Sequence, residues 1–278
     1  MQFTQSSNDY ASKIADQVTW FDISKNSNAI DFLERNMDKI NWTGFSANEH
    51  AVHILEKNLD KINWYWLSEN PNAIPMLEKH LDKVNWTALS ENPNAIPILE
   101  KHLDKVNWHT LSRNRCAMPI LEKNLDKIDW VQLSENPNAI RLLEQNIDKI
   151  DWIRLSKNHK AIHLLETNID KINWFYLSAN PSAISILEAH LDKVNWDMLS
   201  ENIYATHILE KNLDKVNWNR LSSNMHAISM LENNLDKVNW YELSQNLSPY
   251  AMDILTNYWN IETIKYYPDR NDDDDDDE

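Results

Sequence analysis

The chain has 278 residues, a formal net charge of −16 at pH 7, one glycine and one cysteine. Seven of the acids lie in Asp272–Glu278, and the remainder still carries about −9, a balance that repels phosphate backbones and anionic lipid and so excludes nucleic-acid and membrane partners from the expected reading. Cys116 alone makes no intramolecular disulfide, which fits a reducing, cytoplasmic setting, and Gly44 alone rules out a Gly-rich phosphate loop or a turn-rich β fold.

In chain order, residues 1–20 read as a degraded capping copy of a unit that recurs through the rest of the chain: Ala15–Trp20, ADQVTW, stands where later copies have LDKVNW, and no apolar stretch of a secretion signal precedes it. From Trp20 to Trp240 a tryptophan recurs every 22 residues, delimiting ten full copies over 21–240. Such a period marks a stacked-repeat architecture. Slots are numbered 1 to 22 with the tryptophan last; residues 87–108, TALSENPNAIPILEKHLDKVNW, are a representative copy. Asp at slot 18 of every copy reads as the N-cap of a first helix over slots 19 to 5, with the Asn or Asp of slot 21 a loose echo of a capping box. Slot 6 is always Asn and slot 7 often Pro (Pro71, Pro93, Pro137, Pro181), which ends that helix.

Asn72 and Asn94 at slot 8 then read as N-caps of a second helix over slots 9 to 17, with Pro75 and Pro97 in its first turn. Its apolar slots 9, 10, 12, 13 and 17 span a wide arc, as in a helix sandwiched between neighbours. In the first helix, the tryptophan and the Leu of slot 3 share a face and read as core. Neither helix is long enough to stand alone. The expected fold is therefore all-α, a solenoid of about ten two-short-helix repeats with degenerate caps. After 240 the pattern restarts with Tyr241–Asn246, takes the insertion Leu247–Tyr250 and dissolves past Trp259; 241–270 reads as a C-terminal cap and 271–278 as an acidic disordered tail.

The phrase LSxNPNAIxxLExNxDKINW, nearly letter for letter in 65–86, 87–108 and 131–152, resembles a tandem-repeat family abundant in giant viruses of protists, the large nucleocytoplasmic DNA viruses. In architecture it is also similar to leucine-rich variant repeats, which alternate an α-helix with a short 3₁₀-like helix. The resemblance implies membership of an expanded paralogous set and a life in host cytoplasm or virion. Local departures occur at Thr43–Phe45, Arg115–Met118 and Ile203–Thr206.

Glu at slot 14, Asp at 18 and Lys at 19 recur in all ten copies, and ten identical copies cannot be ten active sites. They read as caps and Glu–Lys contacts, while Ser at slot 4 and Asn at slot 6 read as satisfying turn carbonyls. His80, His102 and His190 share slot 16, and His53, His163 and His207 share slot 11, with nothing to organise further ligands, so neither metal nor cofactor is expected. Cys116 has no arranged base beside it.

The informative variation lies at slots 1 and 2, where large and charged residues change from copy to copy on a fixed framework. Phe21, Tyr65, Trp66, His109, Arg154, Phe175, Tyr176, Arg220 and Tyr241 are the candidate protein-binding residues, set on one stripe. The expected function is a non-enzymatic scaffold for a protein or peptide partner, viral or host, with no small-molecule substrate; the alternative is a structural virion or assembly component.

Overall fold

The computed structural model describes residues 19–266, with side chains described through 257. Most of the degraded N-terminal copy, and the acidic tail, lie outside these residues. Every regular element among them is helical, and those before Pro249 follow the 22-residue period. The chain divides into two compact units, Met1–Ile150 and Asp151–Glu278. Each is a helical solenoid whose layers pack on the layers next to them in sequence.

Both helices of a copy are shorter than the sequence pattern predicts, and both caps shift. The first helix begins at the tryptophan itself, as in Trp86–Glu91, and its N-cap is slot 21: Asn85 Oδ1 accepts the Ala88 N–H at 3.0 Å. Asp at slot 18 instead lies exposed in a tight turn such as Leu59–Lys61. The residue between the two candidates decides the matter. Slot 20 is Ile or Val, extended (Ile62 has ψ 132°) and mostly buried, and it interrupts any helix begun at slot 18.

The second element opens as a 3₁₀ turn, Pro93–Ala95, capped by Asn92 of slot 6, whose side chain accepts the Asn94 N–H. Asn72 and Asn94 are therefore not caps. Their amides donate to the slot 7 carbonyls of the copy before, Glu49 and Pro71, at 3.0 Å. The α-helix proper runs Ile96–Lys101 and stops at slot 15 because slot 16 turns out of the helix. Where slot 16 is Asn, its amide closes the end by donating to the slot 12 carbonyl, as Asn58 does to Ile54 and Asn124 to Ile120. Where it is His, the ring packs on the layer's tryptophan instead: His80 on Trp64, His102 on Trp86 and His190 on Trp174.

The apolar core of an interior copy is slots 3, 9, 12, 13 and 20, for example Leu89, Ala95, Ile98, Leu99 and Val106. Each large aliphatic side chain buried there contributes roughly 1.5–3 kcal/mol, and only the neighbouring layers supply the cover. Slot 10 is half-buried, and slot 17, expected as core, is half-buried or exposed because the chain has already left the helix.

A polar column runs beside this core. From Asn48 to Asn224 the slot 6 Asn is buried and donates its amide hydrogens backward, as Asn92 Nδ2 does to Ser68 O at 2.9 Å and to Asn70 O at 3.0 Å. The same pair of bonds recurs at Asn48, Asn70, Asn114 and Asn136 in the first unit and at Asn202 and Asn224 in the second. Slot 4 Ser is fully buried, donates to the tryptophan carbonyl of its own helix and accepts the slot 21 N–H that starts the next, as Ser90 does with Trp86 and Asn107. No buried side-chain polar atom lacks a partner among the described residues. The asparagine and serine columns are therefore mortar between layers.

The tryptophans are half-buried rather than core, and Trp20 is exposed. The invariant Lys of slot 19 stands over the ring that began its copy's first helix: Lys61 over Trp42 at 4.7 Å, Lys105 over Trp86 at 5.0 Å, Lys171 over Trp152 at 4.8 Å. That cation–π column explains the recurring lysine better than an ion pair does. Glu of slot 14 pairs with other residues of the next copy, with Lys79 or Lys101 at slot 15 and His53 or His207 at slot 11. These pairs are exposed and contribute little each.

After the last full copy, Asn246 keeps the column by donating to Ser222 O, and Pro249–Tyr266 forms one 18-residue helix. Ala251 and Ile254 bury its first turns against the helices at 228–232 and 240–244. The expected loss of pattern past Trp259 thus falls inside a continuous backbone helix.

Candidate functional site

With slots 3, 4 and 6 buried, slots 1, 2 and 5 are what the first helix shows to its surroundings. Slot 1 points outward: Tyr65, Val131, Ile153 and Phe175 are 43–49% exposed and Tyr241 is 73% exposed. Slot 2 leans onto the preceding layer and is half-buried or buried in most copies. The two slots expected to form one stripe therefore differ in kind.

In the first unit the structure brings Phe21, Tyr65 and Trp66 together. The Trp66 ring lies 6.0 Å from Phe21 and 5.5 Å from Tyr65, edge-on to both, and Lys25 Nζ stands 5.1 Å from it. Phe21 and Lys25 belong to the copy two before Trp66. The route is open because Gly44, at slot 2 of the copy between, packs so close that a Cβ there would sit 2.5 Å from the Phe21 carbonyl oxygen. The Glu69 carboxylate accepts the Tyr65 hydroxyl bond and raises that phenol above its ordinary value. His109 lies elsewhere on this unit, exposed, with Nδ1 2.8 Å from Asp129 Oδ2.

In the second unit Phe175 and Tyr176 meet edge to face at 5.1 Å, with Lys157 4.2 Å from the Tyr176 ring. Arg220 pairs with Glu201 of the preceding copy, Arg154 is half-buried with its N–H capped by Asp151, and Tyr241 projects freely.

Sequence reasoning passed over slots 5 and 7. Slot 5 follows slot 1 by four residues and so shares its face, and it varies as freely: Lys25, Ala47, Glu69, Glu91, Arg113, Glu135. That variation was the available signal. Together with slot 7 it walls a groove of about 360 Å³ lined by Glu91, Pro93, Arg113, Arg115 and Gln132 among others.

Among the described residues no three His, Cys, Asp or Glu side chains converge as a metal ion requires, and no helix is long and apolar enough to cross a membrane. Cys116 is exposed. The arrangement offers apolar and charged side chains on a repeating frame. Compared with protein-family models, with curated proteins and with solved structures, the chain matches none.

Proposed function

We propose that this chain is a non-enzymatic helical-repeat scaffold that binds a protein or peptide partner through the slot 1, 2 and 5 face. One observation carries the reading: buried slots are nearly invariant from copy to copy, while slot 1 holds large apolar side chains such as Tyr65, Val131 and Phe175 in the open. Exposed aromatics on a frame that is already ordered lose little entropy on binding, which is what hot spots require. In this reading the partner is a host or viral protein met in the cytoplasm.

A second reading, a structural part that packs against coat proteins or its own copies, is favoured by slot 17, where Leu59, Leu125, Leu191 and Leu235 stay 36–39% exposed though the slot is apolar in every copy. Capture with tagged full-length chain separates the two. The scaffold reading expects a partner whose binding weakens by about 2 kcal/mol, roughly thirtyfold, in Tyr65→Ala with Val131→Ala. Binding unchanged there but lost in Leu59→Ser with Leu125→Ser would transfer the function to slot 17.

A further inference from the structure

From copy 65–86 to copy 131–152 the slot 5 face deepens into a groove. Its larger part, about 360 Å³, is walled by Glu91, Pro93, Arg113 and Arg115 and closed at its far end by Gln132, Glu135 and Pro137 of copy 131–152, where Glu135 is already engaged; an adjoining part of about 180 Å³ shares Glu91 and Pro93 and reaches Glu69. Asn92 and Asn114 contribute to the lining, but their amide hydrogens are already given to carbonyls of the layer before. Recognition is therefore left to the charged walls. Arg113 and Arg115 are exposed, from slots 5 and 7 of one copy, and neither guanidinium has an ion pair among the described residues. In a chain of net charge −16, two arginines without an ion pair follow glutamates at the two preceding slot 5 positions, so that ahead of the already engaged Glu135 the groove presents the charge sequence minus, minus, plus.

Successive packed helices lie about 8–10 Å apart. An extended strand advances about 3.3 Å per residue, so it takes about three residues to cross one layer. We propose that the groove binds an extended segment of a partner protein charged at every third residue: basic opposite Glu69, basic opposite Glu91, and carboxylate opposite Arg113 and Arg115. The intervening residues are small or aliphatic, to lie against Pro93. This deepens the scaffold reading and rests on it. Charge matching of this kind selects register and partner more than it adds affinity.

Fluorescence anisotropy with full-length chain and labelled peptides tests it. The probes are Lys-Ala-Val-Lys-Ala-Val-Glu, the same peptide reversed, and its charge-inverted form Glu-Ala-Val-Glu-Ala-Val-Lys, all with blocked ends. One of the first two is expected to bind at least about tenfold tighter than the inverted peptide, with the difference shrinking as salt is raised. Arg113→Glu with Arg115→Glu, checked for retained helicity by circular dichroism, is expected to abolish that preference and to favour the all-lysine peptide Lys-Ala-Val-Lys-Ala-Val-Lys. Arg113→Gln with Arg115→Gln serves as a charge-neutral second variant and should weaken the matched peptide alone. Equal binding of matched and inverted peptides, or a preference untouched by either variant, overturns the proposal. Should the register fail while Tyr65→Ala with Val131→Ala still loses a protein partner, the groove falls and the scaffold stands. Should the peptides behave as expected while slot 1 substitutions lose nothing, the groove stands and the slot 1 face falls.

Discussion

The pairs Tyr65–Trp66 and Phe175–Tyr176 occupy the same two slots in different units and meet at similar separations, 5.5 and 5.1 Å, yet their lysines come from different layers. Tyr176 takes Lys157, slot 5 of the copy directly before it. Trp66 takes Lys25, slot 5 of the copy two before, and touches Phe21 there as well. The copy in between offers only Gly44 at slot 2 and Ala47 at slot 5, so the indole passes across it. The layers are built alike; what each presents depends on the size of its neighbour's slot 2 and slot 5 residues.

The largest test of that contrast is Gly44→Val. Its added carbons meet the Phe21 carbonyl oxygen at 2.5 Å and the Phe21 ring at 3.1 Å, so the helices at 20–25 and 42–46 must part. A loss of about 1–3 kcal/mol in denaturant unfolding is expected, with tryptophan emission shifting to the red as Trp66 loses its cover. Unchanged stability and spectrum would mean that the close approach is not needed. A smaller effect, about 0.5–1 kcal/mol, is expected for Lys25→Ala and for Lys157→Ala, since each removes one lysine from an aromatic face. Ala47→Lys sharpens the comparison: it puts a lysine in the adjacent-layer position beside Trp66, and Lys25→Ala in that background should then cost almost nothing. If the two substitutions prove additive, the rings do not share one cation position.

The smallest effect concerns pH. Most copies cap the first helix with Asn at slot 21, but copy 109–130 uses Asp129. Burial pulls its carboxyl upward, yet the Gln132 N–H, the His109 ring and the Val131 N–H together hold it below the ordinary carboxylate value. A carboxylate depressed in the folded state stabilises above its unfolded value, and that contribution is lost as pH falls through the folded one. Asp129→Asn should therefore flatten the dependence of stability on pH below about 4 while changing little at pH 7. A steeper acid dependence in the variant would reverse the sign of this account.

The period of the tryptophans made the solenoid legible, because a 22-residue unit with no strand phrase and one glycine has few other folds open to it. The kind of work done by slot 6 Asn was legible too; its partners were not, since they lie 22 and 24 residues back. Asp at slot 18 and Asn at slot 21 are both good caps, and only the extended Ile or Val between them chose the second. Lys of slot 19 looked like half of an ion pair because its true partner, an indole 19 residues earlier, carries no charge. Slots 1 and 2 are neighbours in sequence but point about 100° apart on the helix, and stacking turns the second onto the preceding layer while the first stays outward. The groove stayed hidden because its walls come from slots 5 and 7 of successive copies, which become neighbours only on stacking.

The central claim is that buried polar slots hold the layers together while slot 1 is free for a partner. Denaturant unfolding of two variants of the first unit tests it most directly. Asn92→Ala strands the carbonyls of Ser68 and Asn70 and the N–H of Asn94, and should cost about 2–4 kcal/mol. Tyr65→Ala with Val131→Ala removes two exposed side chains, one of which touches Trp66 and Glu69, and should cost no more than about 1 kcal/mol. Losses of equal size, or a larger loss from the slot 1 pair, would show that the supposed binding face is part of the stack and would contradict the account.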